Sequence, residues 1–410
     1  MSSLSLRAVA LAAAMLPVLG TAAPLTLEQA LELAQQRSEA LRSARSGVTS
    51  ATEAARAAGE LPDPMLGVSL ENLPVTGPDR FSTTRESMTM KRIALAQEWV
   101  APEKRRLRTA AAQAAVARDA AAVGAAAADA RLQTALAFID AYYAAEGLKL
   151  STANEGHARE AADTARVRLS SGNTGAQDVL GLSSAQGLAA DEAAEARQQV
   201  ASASVNLARW TGSAVDDLAA PGLPVPSAEH AFVDAHPLVV ARRRDIAVAR
   251  GEAAAIAANR RPNWTWEVAY GQRTGYSDLL TVGVTIPLPI ATGNRQDREA
   301  ASKLALADKA EAELAEAARV AQAEYGALAS DVRRLQERIR SYEAGVLAPA
   351  AQRTAAAHAA LSANQASLAL VFEVRHAELE ARRKLLALQR DLAKVRAQLA
   401  FKPLKPEELQ

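Results

Sequence analysis

The chain has 410 residues, 49% of them hydrophobic and only 4% aromatic, and its 47 basic residues balance 46 acidic ones. A net charge of +1 gives no electrostatic reason to expect a nucleic acid or an acidic partner. The absence of cysteine excludes disulfides, thiolate metal sites, cysteine nucleophiles and an N-terminal lipid-modified cysteine, while the alanine-rich, aromatic-poor composition points to long packed helices.

Met1–Ala23 reads as a secretory signal, with Arg7 as the positive region, Ala8–Leu16 as the apolar region and Gly20-Thr21-Ala22 as the small residues of a cleavage site. The signal is assigned to residues 1–22, and the alternative is an uncleaved buried helix. No later run of 18 apolar residues follows, so no transmembrane helix is expected. Thr26 and Gln29 have the spacing of a capping box, which opens a helix expected to run to about Ala58 with Leu27, Ala30, Leu31 and Ala34 on one face. Leu61-Pro62-Asp63-Pro64 ends it.

In Met65–Glu71, Leu66, Val68 and Leu70 alternate with Gly67, Ser69 and Glu71, the period of a strand with one apolar face. Asn72–Arg85 reads as a loop. A second strand is expected over Glu86–Gln97, with a phase slip at Lys91-Arg92 that a bulge would explain. These strands make a hairpin over about 64–97. After Pro102 a helix-forming run extends from Glu103 to Ser171, about 100 Å long at 1.5 Å per residue. Leu132, Leu136, Ile139 and Tyr143 mark its stripe, and Gly172 and Asn173 supply the positive φ of a turn. A returning helix is expected over 176–211, then a linker rich in Pro and Gly over 212–235.

The series then repeats. His236-Pro237 opens a helix to about Arg260, and Arg261-Pro262 stands where Asp63-Pro64 stood. Trp264, Trp266, Val268 and Tyr270 alternate with Asn263, Thr265, Glu267 and Ala269, and Val282, Val284 and Ile286 mark the return strand of a hairpin over about 262–287. A second rod runs from Arg295 to Ala363, closed by Asn364. Tyr325, Leu328, Val332, Leu335, Ile339, Tyr342 and Val346 give it a coiled-coil seam, and Pro349 is expected to kink it. A return helix over 366–400 and a polar tail over 401–410 complete the chain. The fold class is mainly α with a small β part: repeat 1 over 23–211 and repeat 2 over 236–400, each a helix, a β-hairpin, a long helix and a second helix.

Four strands per chain cannot close a barrel, and open edges are not tolerated in lipid. Either the strands form a soluble half-buried sheet, or several chains pool them. Three chains would give 12 strands, within the range of membrane barrels, and apolar-out, polar-in alternation with Trp and Tyr suits such strands.

Thr26-Leu27-Glu28-Gln29-Ala30, Leu61-Pro62-Asp63-Pro64, Gln97 to Arg108, Ser171-Gly172 through Gln177-Asp178-Val179-Leu180, and Leu347-Ala348-Pro349 occur in an order and spacing that resembles the TolC-like outer-membrane factors of tripartite efflux systems. Glu71-Asn72-Leu73-Pro74-Val75-Thr76-Gly77 and Pro102-Glu103-Lys104-Arg105-Arg106 resemble its heavy-metal branch, the CzcC- and CusC-like proteins. The resemblance implies a homotrimer, with a 12-stranded barrel in outer-membrane lipid above a periplasmic α-helical barrel. Its partners would be a periplasmic adaptor (membrane fusion) protein and an inner-membrane RND pump. It implies passive export of heavy-metal cations, no enzyme activity and no cofactor. Adaptor-contacting tips would be Ser171, Gly172, Asn173, Ala363 and Asn364. A periplasmic gate would comprise Asp178, paired with Arg375, and Glu373; a second acidic position of the family holds Leu370 here.

Other chemistry finds little purchase. Met65, Met88 and Met90 cluster in the first hairpin, where thioethers suit Cu(I) but the strand suits apolar lipid-facing residues as well. The five histidines show no His-x-x-x-His spacing, and no nucleophile elbow, phosphate loop or dinucleotide fingerprint is present. The competing readings are a channel of the same fold for organic compounds and a secreted structural coiled-coil rod.

Overall fold

The structure is a computed structural model that describes residues 24–171, 175–215, 217–363 and 365–408. The signal segment and the tip residues Gly172, Asn173 and Asn364 lie outside the described residues.

The capping box forms: Gln29 N–H donates to Thr26 Oγ1 at 3.3 Å, and Thr26 N–H donates to Gln29 Oε1 at 3.0 Å. The helix it opens, α1 (Leu27–Arg37), stops well short of Ala58. Ser38 takes extended geometry, and its hydroxyl accepts from Leu41 N–H at 3.2 Å to cap a new helix, α2 (Glu39–Ala58). A short hydroxyl side chain competing for backbone donors divides what periodicity reads as one helix.

Strands β1 (Met65–Glu71) and β2 (Met90–Trp99) form the first hairpin. The second strand starts at Met90 rather than Glu86, because Thr89 is tied into the loop by donating to the Asn72 carbonyl at 2.9 Å. No bulge interrupts it: the register runs unbroken from Leu70↔Lys91 through Ser69↔Arg92 to Met65↔Ala96. Lys91 and Arg92 are simply a polar residue on each face at the strand's end.

Helix α3 (Pro102–Ser170) is unbroken over 69 residues, and α4 (Ala176–Thr211) returns beside it. Gly212, at φ 88°, ends α4 in the left-handed conformation that favours glycine, and the Arg37 guanidinium lies over it. The segment after it is more structured than a linker. Leu25 and Leu218 form a parallel bridge, and α5 (Glu229–Asp234) buries Phe232 completely.

In the second half, α6 (Pro237–Ala257) leads into β3 (Trp264–Gln272) and β4 (Leu279–Thr285). The second rod is α7 (Gln296–Tyr342), a π-helical turn at Glu343–Leu347, and α8 (Ala348–Ser362). The π turn accounts for Pro349. Ala348 N–H donates to the Glu343 carbonyl five residues back, and this wider winding accommodates a ring that would clash with a carbonyl in a regular helix. Helix α9 (Leu368–Phe401) returns along α8 and α7.

The helix α3 is the spine. Helices α1, α2, α4, α6 and α9 all pack on it. Its alanines, among them Ala128, Ala135, Ala158 and Ala162, are buried and let neighbouring backbones approach closely. The principal core joins Leu27 and Ala30, Phe138 and Ile139, Leu207, and Ala393 and Ala397 from four helices. A second cluster sets Tyr325, Leu328 and Val332 of the coiled-coil seam against Phe232, Val395 and Leu399. The C-terminal tail, expected to be merely polar, docks. Leu404 is buried, and Glu408 pairs with Arg131 of α3.

Candidate functional site: the sheet and the helical tips

The four strands form one antiparallel sheet in the order β1-β2-β3-β4. Both outer edges, on β1 and β4, have no strand partner among the described residues. The registers align side chains in rows, because successive residues of a strand face opposite sides. One row is Leu66, Leu95, Val268 and Val282; the next is Val68, Ile93, Tyr270 and Leu280. Trp266 and Val284 extend this face toward Trp99 and Trp264, whose rings lie 6.2 Å apart at its helix-side end. Val68 and Val282 are 75% and 71% exposed, so this apolar face is uncovered in the single chain.

The opposite face is small or polar. Gly67, Ala94, Ala269 and Thr281 make one row, and Ser69, Arg92, Gly271 and Leu279 the next. Arg92 bridges Glu71, at 3.4 Å, and Glu267. Met90 belongs to this face: it pairs with Glu71, and its sulfur packs where a Cβ on Gly271 would fall. The reading of Met90 as an outward apolar residue is therefore corrected by the register. Met88 lies in the loop before the strand.

Where sheet meets helices, the polar residues interlock. Lys104 Nζ donates to Asn263 Oδ1 at 2.8 Å, and Asn263 Nδ2 donates to Glu98 Oε1 at 2.7 Å. Burial first, then the neighbouring Arg108, pushes the Lys104 ammonium below the usual lysine range, against the opposing pull of Glu98.

The far ends of the rods carry the other candidate residues. Ser171 caps α3, its hydroxyl donating to the Arg168 carbonyl at 3.0 Å. Ala363 ends α8 by donating its N–H to the Ala359 carbonyl at 3.1 Å. Ser367 caps α9, accepting from Leu370 N–H at 3.1 Å. Leu368 and Phe372 of α9 pack on Ala161, Ala162 and Ala165 of α3 and Leu182 of α4, so the two hairpin ends share an apolar cluster.

Asp178 lies exposed in the first turn of α4. Glu373 is exposed and stands 4.0 Å from Arg353 of α8. Arg375, the pairing partner implied for Asp178, donates to Nε2 of His157 of α3 at 2.5 Å. Sequence reasoning missed His157, because its partner lies 218 residues away. It also missed a polar knot one turn further from the tip. There Asn154 of α3, Glu192 of α4 and His376, Glu380 and Arg383 of α9 converge. Only the spacing His376-x-x-x-Glu380 hints at it in sequence. Among the described residues no helix is long and apolar enough to cross a membrane.

No family model matches the chain, and no curated protein matches it in sequence. Solved structures do. The outer membrane protein VceC from Vibrio cholerae is 18% identical, with a TM-score of 0.74 over 92% of this chain and 96% of its own. CusC, described for its transmembrane channel formation, is 14% identical, with a TM-score of 0.74 over 92% of each chain. The open-state MtrE outer membrane channel of Neisseria gonorrhoeae is 16% identical, with a TM-score of 0.73 over 92% of this chain and 88% of its own. Helical rods capped by a small antiparallel sheet therefore give this chain the fold seen in outer-membrane channel proteins.

Proposed function

We propose that the protein is the outer-membrane channel of a tripartite efflux system. Three copies pool their sheets into a 12-stranded barrel, and their rods assemble into a helical tunnel through the periplasm. The observation that carries this reading is the pair of exposed apolar rows, Leu66–Val282 and Val68–Leu280, on a sheet with both edges open. Lipid is the solvent that such a face suits, and closure with neighbouring copies removes edges that lipid does not tolerate. The polar opposite face then lines the lumen. The protein does no chemistry; cargo passes through water. Detergent-extracted protein is expected to run as a heat-dissociable trimer and to conduct ions in planar bilayers. A protein that is soluble without detergent and conducts nothing refutes the proposal and favours a secreted coiled-coil rod.

The tips Ser171, Gly172, Asn173, Ala363 and Asn364 meet the periplasmic adaptor, which links the channel to an inner-membrane RND pump. Asp178, Glu373 and Arg375 belong to the gate, where three copies of Glu373 attract cations. Gly172→Trp is expected to weaken coupling to the adaptor with the barrel intact, and Glu373→Ala to lower cation selectivity.

The cargo we assign is heavy-metal cations. The support is the Glu71–Gly77 and Pro102–Arg106 segments, which resemble those of the heavy-metal branch. Deleting the gene is expected to sensitise cells to copper, zinc, cobalt or cadmium. Loss of resistance to organic compounds alone would move the cargo to that class and leave the channel reading standing.

A further inference from the structure

We propose that Glu192, His376 and Glu380 form a binding site for one divalent transition-metal cation per chain, with Zn2+ as the best-fitting ion. The ligand atoms of these three side chains all lie within 4.8 Å of one another. They come from two helices, α4 and α9, that have little direct contact and both pack on α3. His376 and Glu380 are one turn apart on α9, the spacing that sets two side chains on one helix face. An imidazole nitrogen with two carboxylates is a donor set for Zn2+, Cu2+ or Ni2+ rather than for Mg2+ or Ca2+, which take oxygen ligands.

The site is built, not a chance meeting of surface acids. The His376 ring stacks on Phe372 with 11° between the planes, which fixes its orientation. Asn154, only 2% exposed on α3, donates to Glu192 Oε2 at 3.2 Å and lies 3.4 Å from His376 Nδ1. It thus sits between the two ligand-bearing helices. Turned over about its last bond, its amide presents Oδ1 as a fourth ligand. Glu192 also lines an open groove of about 740 Å3 between α3, α4 and α9, which gives an ion a route from water.

Arg383 holds the carboxylates ready. Its Nη1 lies 3.1 Å from Glu192 and 2.7 Å from Glu380, and its Nη2 donates to Ser151 at 2.7 Å. The guanidinium offsets the repulsion between two acids that would otherwise part, as a dication would in its place. It therefore competes for the site, and the reasoning predicts that removing it tightens metal binding. A bound ion would staple α4 to α9, close to the tips. The inference stands on these side chains alone and holds whatever cargo the channel carries.

The test is calorimetric titration of the full mature chain in detergent with Zn2+ alone, together with the visible spectrum of added Co2+. The expected result is one Zn2+ per chain. Affinity should fall by about tenfold or more in Glu192→Gln and in His376→Gln, and rise in Arg383→Gln. Co2+ bands should vanish in His376→Gln, and His157→Gln should bind as the parent does. Circular dichroism confirms that each variant keeps its helices; Arg383→Gln, expected to change binding in the opposite direction, separates a lost ligand from a damaged fold. Zn2+ binding that is unchanged in both Glu192→Gln and His376→Gln, or absent from parent and Arg383→Gln alike, overturns the site. Neither failure touches the channel reading, which rests on conductance.

Discussion

Val282→Arg separates lipid from water as the solvent of the apolar face. Val282 sits mid-strand in β4, in the row with Val268, Leu95 and Leu66, and is 71% exposed in the single chain. If that face meets water, arginine there touches nothing and changes stability by no more than about 0.5 kcal/mol. If it meets the bilayer midplane, the cost is about 2–4 kcal/mol per chain, a factor of roughly 30 to 900 in the folding equilibrium. A trimer carries it three times. The internal control is Thr281→Arg, one residue earlier and facing the other way, level with Ala269. Placed in a water-filled lumen, that arginine should cost little and should lower cation conductance. Folding is assayed by urea titration of protein inserted into lipid vesicles, and by the heat-shifted gel mobility of closed barrels. Equal stability and insertion for Val282→Arg and Thr281→Arg would refute the two-faced sheet. The placement of Lys91 and Gln97 fits the same geometry. They stand on the apolar face but toward its two ends, where a polar head can reach the membrane surface.

Two further predictions concern the helical body. Glu408→Ala should destabilise the protein by about 3–5 kcal/mol, because Arg131 is 3% exposed and would be left as a buried charge without its carboxylate; a chemical-denaturation midpoint equal to the parent's would show that the tail does not anchor α3. His236 is buried at the start of α6, and burial first, then Lys402, holds its imidazole below the usual histidine range despite Glu324. The folded state therefore resists protonation while the unfolded chain accepts a proton near pH 6.5. Stability should fall as pH drops through about 6.5, level off below the folded-state pKa, and lose that slope in His236→Asn, as read from melting temperatures between pH 7.5 and 5.

The periodic elements were legible because each buries a regular stripe. The alternation of β1 and β3 and the 3-4 spacing of Tyr325 to Tyr342 need no tertiary information beyond a face to cover. What escaped was decided by single side chains acting on backbone or across long separations. Ser38 splits the first helix through one hydroxyl. Thr89 delays β2 by bonding to Asn72 across the loop. The tail looked polar because Glu408 is a poor core residue until Arg131 is known to face it. The surroundings of the residues proposed for a gate were less legible still. Beside the partner that the resemblance implies for Arg375 in Asp178, the folded chain places an imidazole of α3, His157, against its guanidinium. The knot around Asn154 draws on three helices, and periodicity along one helix reports nothing about residues on another.

The two rods have come to differ in the way their positions demand. The first, α3, is surrounded by five helices and buries alanines on several sides, so a register change in it would disturb every neighbour at once. The second is exposed along much of its length, with Tyr342 half-buried and Val346 42% exposed around the π turn. A break in winding costs least where few contacts depend on it, and there Pro349 is tolerated. Beyond that break, α8 is bound chiefly to α9: Thr354 donates to the Val374 carbonyl at 3.3 Å, and Ala357 packs on Val371 and Val374. Further along α9, Ala393 and Ala397 join the principal core and Lys394 pairs with Asp140 of α3; toward the tip, the lower hairpin is fastened to the α3–α4 hairpin at three places. These are the apolar cluster of Phe372, the Arg375–His157 bond and the knot of Glu192 with Arg383. All three lie on α9, between the tip and the level of Arg383. The tip-side fastenings therefore occupy one short stretch of one helix, and the proposed cation site is the one among them that a dissolved ion could reach.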